Sequence, residues 1–129
     1  KVLNHMNMQL LDNHLRQLDI NNQHFRVLQI VRNLGKIKVS DLARALAVSQ
    51  PVMSRILIQM EERDLIMRKQ AQFDTRVRNV VLTKNGQSTY DLVWPEAKKI
   101  LARFTSVLTE QELRSLIGSL RKMEGVATD

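Results

Sequence analysis

The stretch IMRKQAQFDTRVRNVVLTKNG, residues 66–86, decides how this chain folds. Ile66 to Gln70 and Val77 to Leu82 read as two short extended runs, and Ala71 to Arg76 joins them as a loop, which makes a β-hairpin. The hairpin is basic, with Arg68 and Lys69 on the incoming strand and Arg76 and Arg78 at the loop and just past it. Asp74 stands alone among these cations and is expected to orient Arg76 by a charge-assisted hydrogen bond. Thr83 offers a hydroxyl to cap a long helix that runs to about Val107, bent at Pro95 because proline cannot donate to the carbonyl of Asp91.

Upstream, Ser40 is expected to N-cap a short helix from Asp41 to about Leu46, with Asp41 well placed against the helix dipole. Ala47-Val48 makes the turn, Ser49 is a second N-cap, and Pro51 falls in the first turn, where its missing N–H costs nothing. The next helix turns Val52, Ile56 and Met60, together with Met53 and Leu57, toward the core and frays near Glu62-Arg63-Asp64. Two helices joined this tightly are a helix-turn-helix, and the basic hairpin that follows makes it a winged helix-turn-helix. The second helix of such a unit is the usual major-groove reader. Gln50 can pair with adenine, Arg55 with guanine, and Ser54 with phosphate or a base edge. The expected DNA contacts are Ser40, Ser49, Gln50, Pro51, Met53, Ser54 and Arg55 from the helices and Asp74, Arg76 and Arg78 from the hairpin.

Outside this unit the pattern is helical. Leu3, Met6 and Leu10, then Leu11, Leu15 and Leu18, form a stripe that ends at Asp19-Ile20-Asn21-Asn22. Phe25, Leu28, Val31 and Leu34 mark a second helix with Gly35 as its C-terminal cap, and Lys36 to Val39 is an extended connector. Thr109-Glu110-Gln111-Glu112 is a capping box, which opens a last helix with Leu113, Leu116, Ile117 and Leu120 on one face. The fold class is therefore mainly α with a small β-hairpin wing, one domain over residues 1–129. Residues 24–86 are its DNA-binding part, and residues 1–23 and 87–129 are helical flanks.

Charge follows the same division. The chain carries 20 basic and 13 acidic residues, a net +7. Residues 24–86 hold twelve basic and five acidic residues, so the whole excess lies there and both flanks are neutral. A basic block between neutral flanks is the electrostatic footprint of a polyanion partner. With only five aromatic residues, recognition of single strands by stacked rings is not expected.

Other chemistries lack their residues. No cysteine is present, so disulfides, thiolate nucleophiles and Cys-based zinc sites are excluded. His5, His14 and His24 lack the spacing of a helical zinc site, no serine sits in a GxSxG elbow, and the four glycines form no phosphate loop. No enzymatic activity, cofactor or metal is expected. The longest apolar run, Ala45 to Val48, is too short for a membrane span. The chain opens on Lys1 rather than Met, as expected of a sequence whose natural start lies upstream.

The wing-to-helix run Asp74-x-Arg76-x-x-x-Val80-x-Leu82-Thr83-x-x-Gly86 resembles the MarR family of bacterial transcriptional regulators at every defined position. Phe25-Arg26-Val27-Leu28, Val39-Ser40-Asp41-Leu42-Ala43, Ser49 to Arg55 and Met60 to Ile66 are similar to the same family. Asp64 departs from it, standing where glycine is usual and a left-handed residue is wanted. The resemblance implies a cytoplasmic homodimer with interlocked N- and C-terminal dimerisation helices, two wings on a pseudo-palindromic operator, and a repressor's role. It also implies release by a small aromatic carboxylate in a crevice beside the dimerisation helices. If the first helix covers that crevice, His5, Arg16 and Trp94 are the residues expected to line it. Leucine-lined neutral flanks agree with a dimer, since a monomer would leave their stripes in water. The rival reading is an architectural or partner-binding winged helix with neither operator nor effector.

Overall fold

The computed structural model describes residues 11–128, which form six helices and three short strands. Residues 11–17 are helical (α1), followed by α2 (Asn22–Leu34), β1 (Ile37–Lys38), α3 (Val39–Leu46), α4 (Gln50–Glu62), β2 (Ile66–Gln70), β3 (Arg78–Leu82), α5 (Lys84–Thr105) and α6 (Glu110–Thr128). The part of the first helical stripe before Leu11 lies outside the described residues.

Local chemistry sets most boundaries. Asn21 caps α2 by accepting from the His24 N–H at 2.9 Å, and His24 Nδ1 accepts from the Asn21 N–H at 3.2 Å. This reciprocal box starts α2 at Asn22, three residues ahead of Phe25, where the apolar pattern begins. Gly35 ends the helix at φ 81°, where a side chain would be strained, and its N–H returns to the Val31 carbonyl at 2.8 Å. Asp64 takes φ 54°, the left-handed conformation its position requires.

The sheet is antiparallel in the order β1-β3-β2. The hairpin register runs from Ile66 opposite Leu82 to Gln70 opposite Arg78. The third strand was not expected, because Ile37 and Lys38 are too short a run to show alternation. Their pairing with Val80 and Asn79 corrects the cap of α3. Lys38 is held extended, the helix starts at Val39, and Ser40 lies inside the first turn instead of capping it.

One apolar core lies between these elements. Val27, Leu28, Val31, Leu42, Met53, Leu57, Met60 and Val80 are fully enclosed. Phe25 stacks on Tyr90 with centroids 5.8 Å apart, and Tyr90 on Trp94 at 6.0 Å, which fixes α2 against α5. Burial raises the Tyr90 hydroxyl pKa above its ordinary value. Val52, expected inside, is 36% exposed, because the core side of α4 is the stripe of Met53, Ile56, Leu57 and Met60.

The long α5 passes through Pro95 and ends at Thr105, two residues before the expected end. Thr109 and Glu112 form the expected capping box at α6, with bonds of 3.0 and 3.1 Å. The Thr109 N–H and hydroxyl hold the Glu112 carboxyl below its usual pKa. Along α6, Leu116, Ile117, Leu120, Met123 and Val126 are all exposed, so this helix contributes nothing to the core of its own chain. No described helix is long and apolar enough to cross a membrane.

Candidate nucleic-acid interface

The first turns of α4 are displayed to solvent. The Ser49 hydroxyl accepts from the Val52 N–H at 3.4 Å, and Pro51 occupies the first turn, so neither a cap nor a donor is wasted. Gln50, Pro51 and Arg55 are exposed and Ser54 is half-buried. Arg55 has no carboxylate partner among the described residues, which leaves its guanidinium free for a base edge. Met53 is the exception in the expected set. It is 0% exposed and fills the core beneath the helix, so its side chain is not available for a DNA contact. Ser40 is exposed at the start of α3.

At the hairpin tip, Asp74 Oδ1 accepts from the Arg76 N–H at 3.0 Å and lies 3.4 Å from Arg76 Nε. One carboxylate oxygen thus shapes the turn and steers the guanidinium, as the spacing of the two residues suggested. The Arg76 side chain is still 90% exposed. Lys69 and Arg78 are exposed as well, whereas Arg68 is engaged with Glu61 Oε1 at 2.6 Å. Arg68 therefore fastens the wing strand β2 to the end of α4 and is not a free cation.

Residues outside the expected contact set hold α4 and the wing in register. Thr83 Oγ1 donates to the Asp64 carbonyl at 2.6 Å and accepts from the Gly86 N–H at 2.9 Å. Asn85 Nδ2 reaches the Arg63 and Asp64 carbonyls, each at 3.2 Å. Arg63 in turn donates to the Asp19 carbonyl at 2.9 Å and the Gln59 carbonyl at 3.1 Å, clamping the α1–α2 turn to α4. His24 Nε2 meets Gln59 Oε1 at 3.1 Å, and because Nδ1 accepts from Asn21, Nε2 carries the proton in this bond. Burial lowers the His24 pKa, with the Gln59 bond and Asp19 opposing and Arg63 assisting. The Asn21-x-x-His24 spacing was the one local signal for this cluster.

Of the residues expected around an effector, Arg16 and Trp94 are described. His5 lies outside the described residues. Arg16 is 74% exposed and pairs with Asp12 at 2.8 Å, while Trp94 is half-buried against Tyr90. A cleft of about 400 Å³ opens between the α1–α2 turn, the end of α4 and the start of α5. It is lined by Leu18, Arg63, Asn85, Thr89 and Leu92 among others, and by neither Arg16 nor Trp94.

A short helix pair with an open second helix, followed by a basic hairpin that a strand ahead of the pair completes into a three-stranded sheet, defines a winged helix-turn-helix protein. The MarR family model matches residues 20–77, from the α1–α2 turn through the wing loop. The fold is shared with solved structures of MarR family proteins. A mutant of MarR from E. coli complexed with operator DNA is 25% identical, with 95% of this chain and 88% of that one covered at a TM-score of 0.79. AbsC, a MarR family transcriptional regulator from Streptomyces coelicolor, is 24% identical over 98% and 88% of the two chains, TM-score 0.85. NadR in complex with 4-hydroxyphenylacetate is 23% identical over 91% and 83%, TM-score 0.83.

Proposed function

We propose that this chain is a sequence-specific regulator of transcription that binds double-stranded DNA as a homodimer and represses from a pseudo-palindromic operator. One observation carries the reading. At the N-terminal turns of α4 and at the wing tip the basic block holds arginines in water, Arg55 without a carboxylate partner among the described residues and Arg76 aimed by Asp74. Gln50, Ser54 and Arg55 would face the major groove, and Arg76 the minor groove, whose negative potential attracts an inserted arginine. The exposed leucine stripe of α6 supports the dimer, since so long an apolar face is rarely left in water. The operator bound to E. coli MarR supports the partner.

Selection of bound duplexes from a random pool tests the reading, followed by titration of wild type and Arg55→Ala on the selected site. Arg55→Ala is expected to cost about 1–3 kcal/mol and to relax base preference at one position of each half-site. Equal affinity for selected and scrambled duplexes would favour an architectural protein instead. The reading extends to a small aromatic carboxylate that lowers DNA affinity, supported by the 4-hydroxyphenylacetate bound to NadR. Thermal shift and DNA release with a panel of hydroxylated benzoates test that part. A panel in which no compound both stabilises the protein and releases DNA removes the effector.

A further inference from the structure

Phe73 is 94% exposed, more than any other large apolar side chain among the described residues. The tip that carries it is hydrogen-bonded across the loop. The Ala71 N–H donates to the Val77 carbonyl at 2.9 Å, and the Val77 N–H to the Asp74 carbonyl at 3.1 Å. Gln70 Nε2 donates to the Thr75 carbonyl at 2.8 Å, and Asp74 Oδ1 takes the Arg76 N–H. None of these bonds involves the Phe73 side chain, so the loop fixes its backbone and leaves its ring free. The surroundings limit what can cover it. Between Leu65 and Tyr90 the only acidic residue is Asp74, and Lys69, Arg76 and Arg78 are all exposed. An apolar protein pocket would have to dehydrate those cations together with the ring. A DNA minor groove satisfies both, with phosphates along its rims and apolar sugar walls and base steps within, where phenylalanine is a known wedge.

We propose that Phe73 enters the minor groove beside Arg76 and supplies the wing with apolar, salt-independent affinity. The inference rests on the DNA-binding reading above. Arg76 and Phe73 then contribute in ways that salt separates, because only the cation displaces counterions from the duplex.

The test uses the full chain and a duplex selected from a random pool, with fluorescence anisotropy at a series of salt concentrations. Phe73→Ala is expected to weaken binding about tenfold or more at every salt concentration, the loss of one buried phenylalanine, with the salt slope unchanged. Arg76→Ala is expected to weaken binding and to make the slope shallower by about one. Phe73→Trp should restore most of the affinity. If Phe73→Ala matches wild type while Arg76→Ala weakens binding, the inference fails and the DNA reading stands. If no duplex is bound, both fail together. Vesicles containing phosphatidylglycerol provide the other arm: association that Phe73→Ala abolishes, with DNA affinity intact, would give the ring to a membrane and overturn the proposal.

Discussion

Gly86→Ala is the sharpest test of how the wing is joined to the rest of the molecule. Gly86 lies in the first turn of α5, where alanine is the better helix former by about 1 kcal/mol. Propensity alone predicts a gain. The structure predicts the opposite, because an added Cβ would stand 2.0 Å from the Leu65 carbonyl oxygen and 3.0 Å from its carbon. Both are backbone atoms, so no rotamer change relieves the clash. Clearance to 3.0 Å requires α5 and the Asp64-Leu65 backbone to part by about 1 Å. Such a shift strains the bond of the Thr83 N–H to the Leu65 carbonyl (3.2 Å) and that of Thr83 Oγ1 to the Asp64 carbonyl (2.6 Å). Overpacking costs about 1–3 kcal/mol and each lost bond about 1 kcal/mol, against the gain of about 1 in propensity. The net expectation is a loss of about 2–4 kcal/mol, read in urea unfolding as a lower midpoint at unchanged slope. Faster hydrogen exchange at the Thr83 amide should accompany it. A variant as stable as wild type, or more stable, would refute the close approach of α5 to the wing base.

Three further expectations follow from particular contacts. His24 is neutral in the fold with its pKa lowered by burial, so the unfolded chain takes up the proton first: its contribution to stability is whole well above the ordinary value of 6.5 and declines as pH falls through 6.5 toward the lowered one. His24→Gln retains an Asn-x-x-Gln capping box and should flatten the loss of urea stability between about pH 7 and pH 5; an unchanged fall would show that His24 does not cause it. Asp74→Ala should weaken DNA binding although it removes a negative charge, with Asp74→Asn intermediate because its carbonyl still accepts the Arg76 N–H; tighter binding by Asp74→Ala in a filter or anisotropy assay would end the steering argument. Leu120→Glu should convert a dimer to monomers in sedimentation, since Leu120 is 51% exposed on the apolar stripe of α6, and an unaltered dimer would place the interface elsewhere.

What the sequence disclosed was local. Ser49, Thr83 and Thr109 cap helices within three or four residues of themselves, and Gly35 and Asp64 meet a conformational demand at their own backbone, so each was legible from spacing. Asp74 and Arg76 are likewise neighbours in the chain. The errors arose where distant pairing decides. Ser40 was read as a cap because nothing near it shows that Lys38 pairs with Asn79, forty-one residues on. In α4 the positions 52, 56 and 60 and the positions 53, 57 and 60 are both apolar at helical spacing, so spacing turns both stripes toward the core, and only the packed structure reveals that Val52 lies outside and that Met53 is too deep for a DNA contact. The ties of His24 to Gln59 and Arg63 to Asp19 span 35 and 44 residues, and no periodicity announces them.

The ion pairs also show how carboxylates in and beside the basic block are used. Of its twelve cations, Arg44, Arg63, Arg68 and Arg76 have carboxylates within reach, and the last three bonds each fix a geometry rather than neutralise a field. Glu61 joins the end of α4 to β2, Asp19 joins the α1–α2 turn to α4 through Arg63, and Asp74 sets the tip. Exposed pairs of this kind add little stability, and their value lies in direction. Arg55, Lys69 and Arg78 have no carboxylate partner among the described residues. A recognition helix and a wing must meet two grooves of one duplex at once, so an error in their relative placement costs both contacts. Using carboxylates for that placement, and leaving Arg55 of α4 without one, lets the block stay strongly positive while α4 and the wing are held in register.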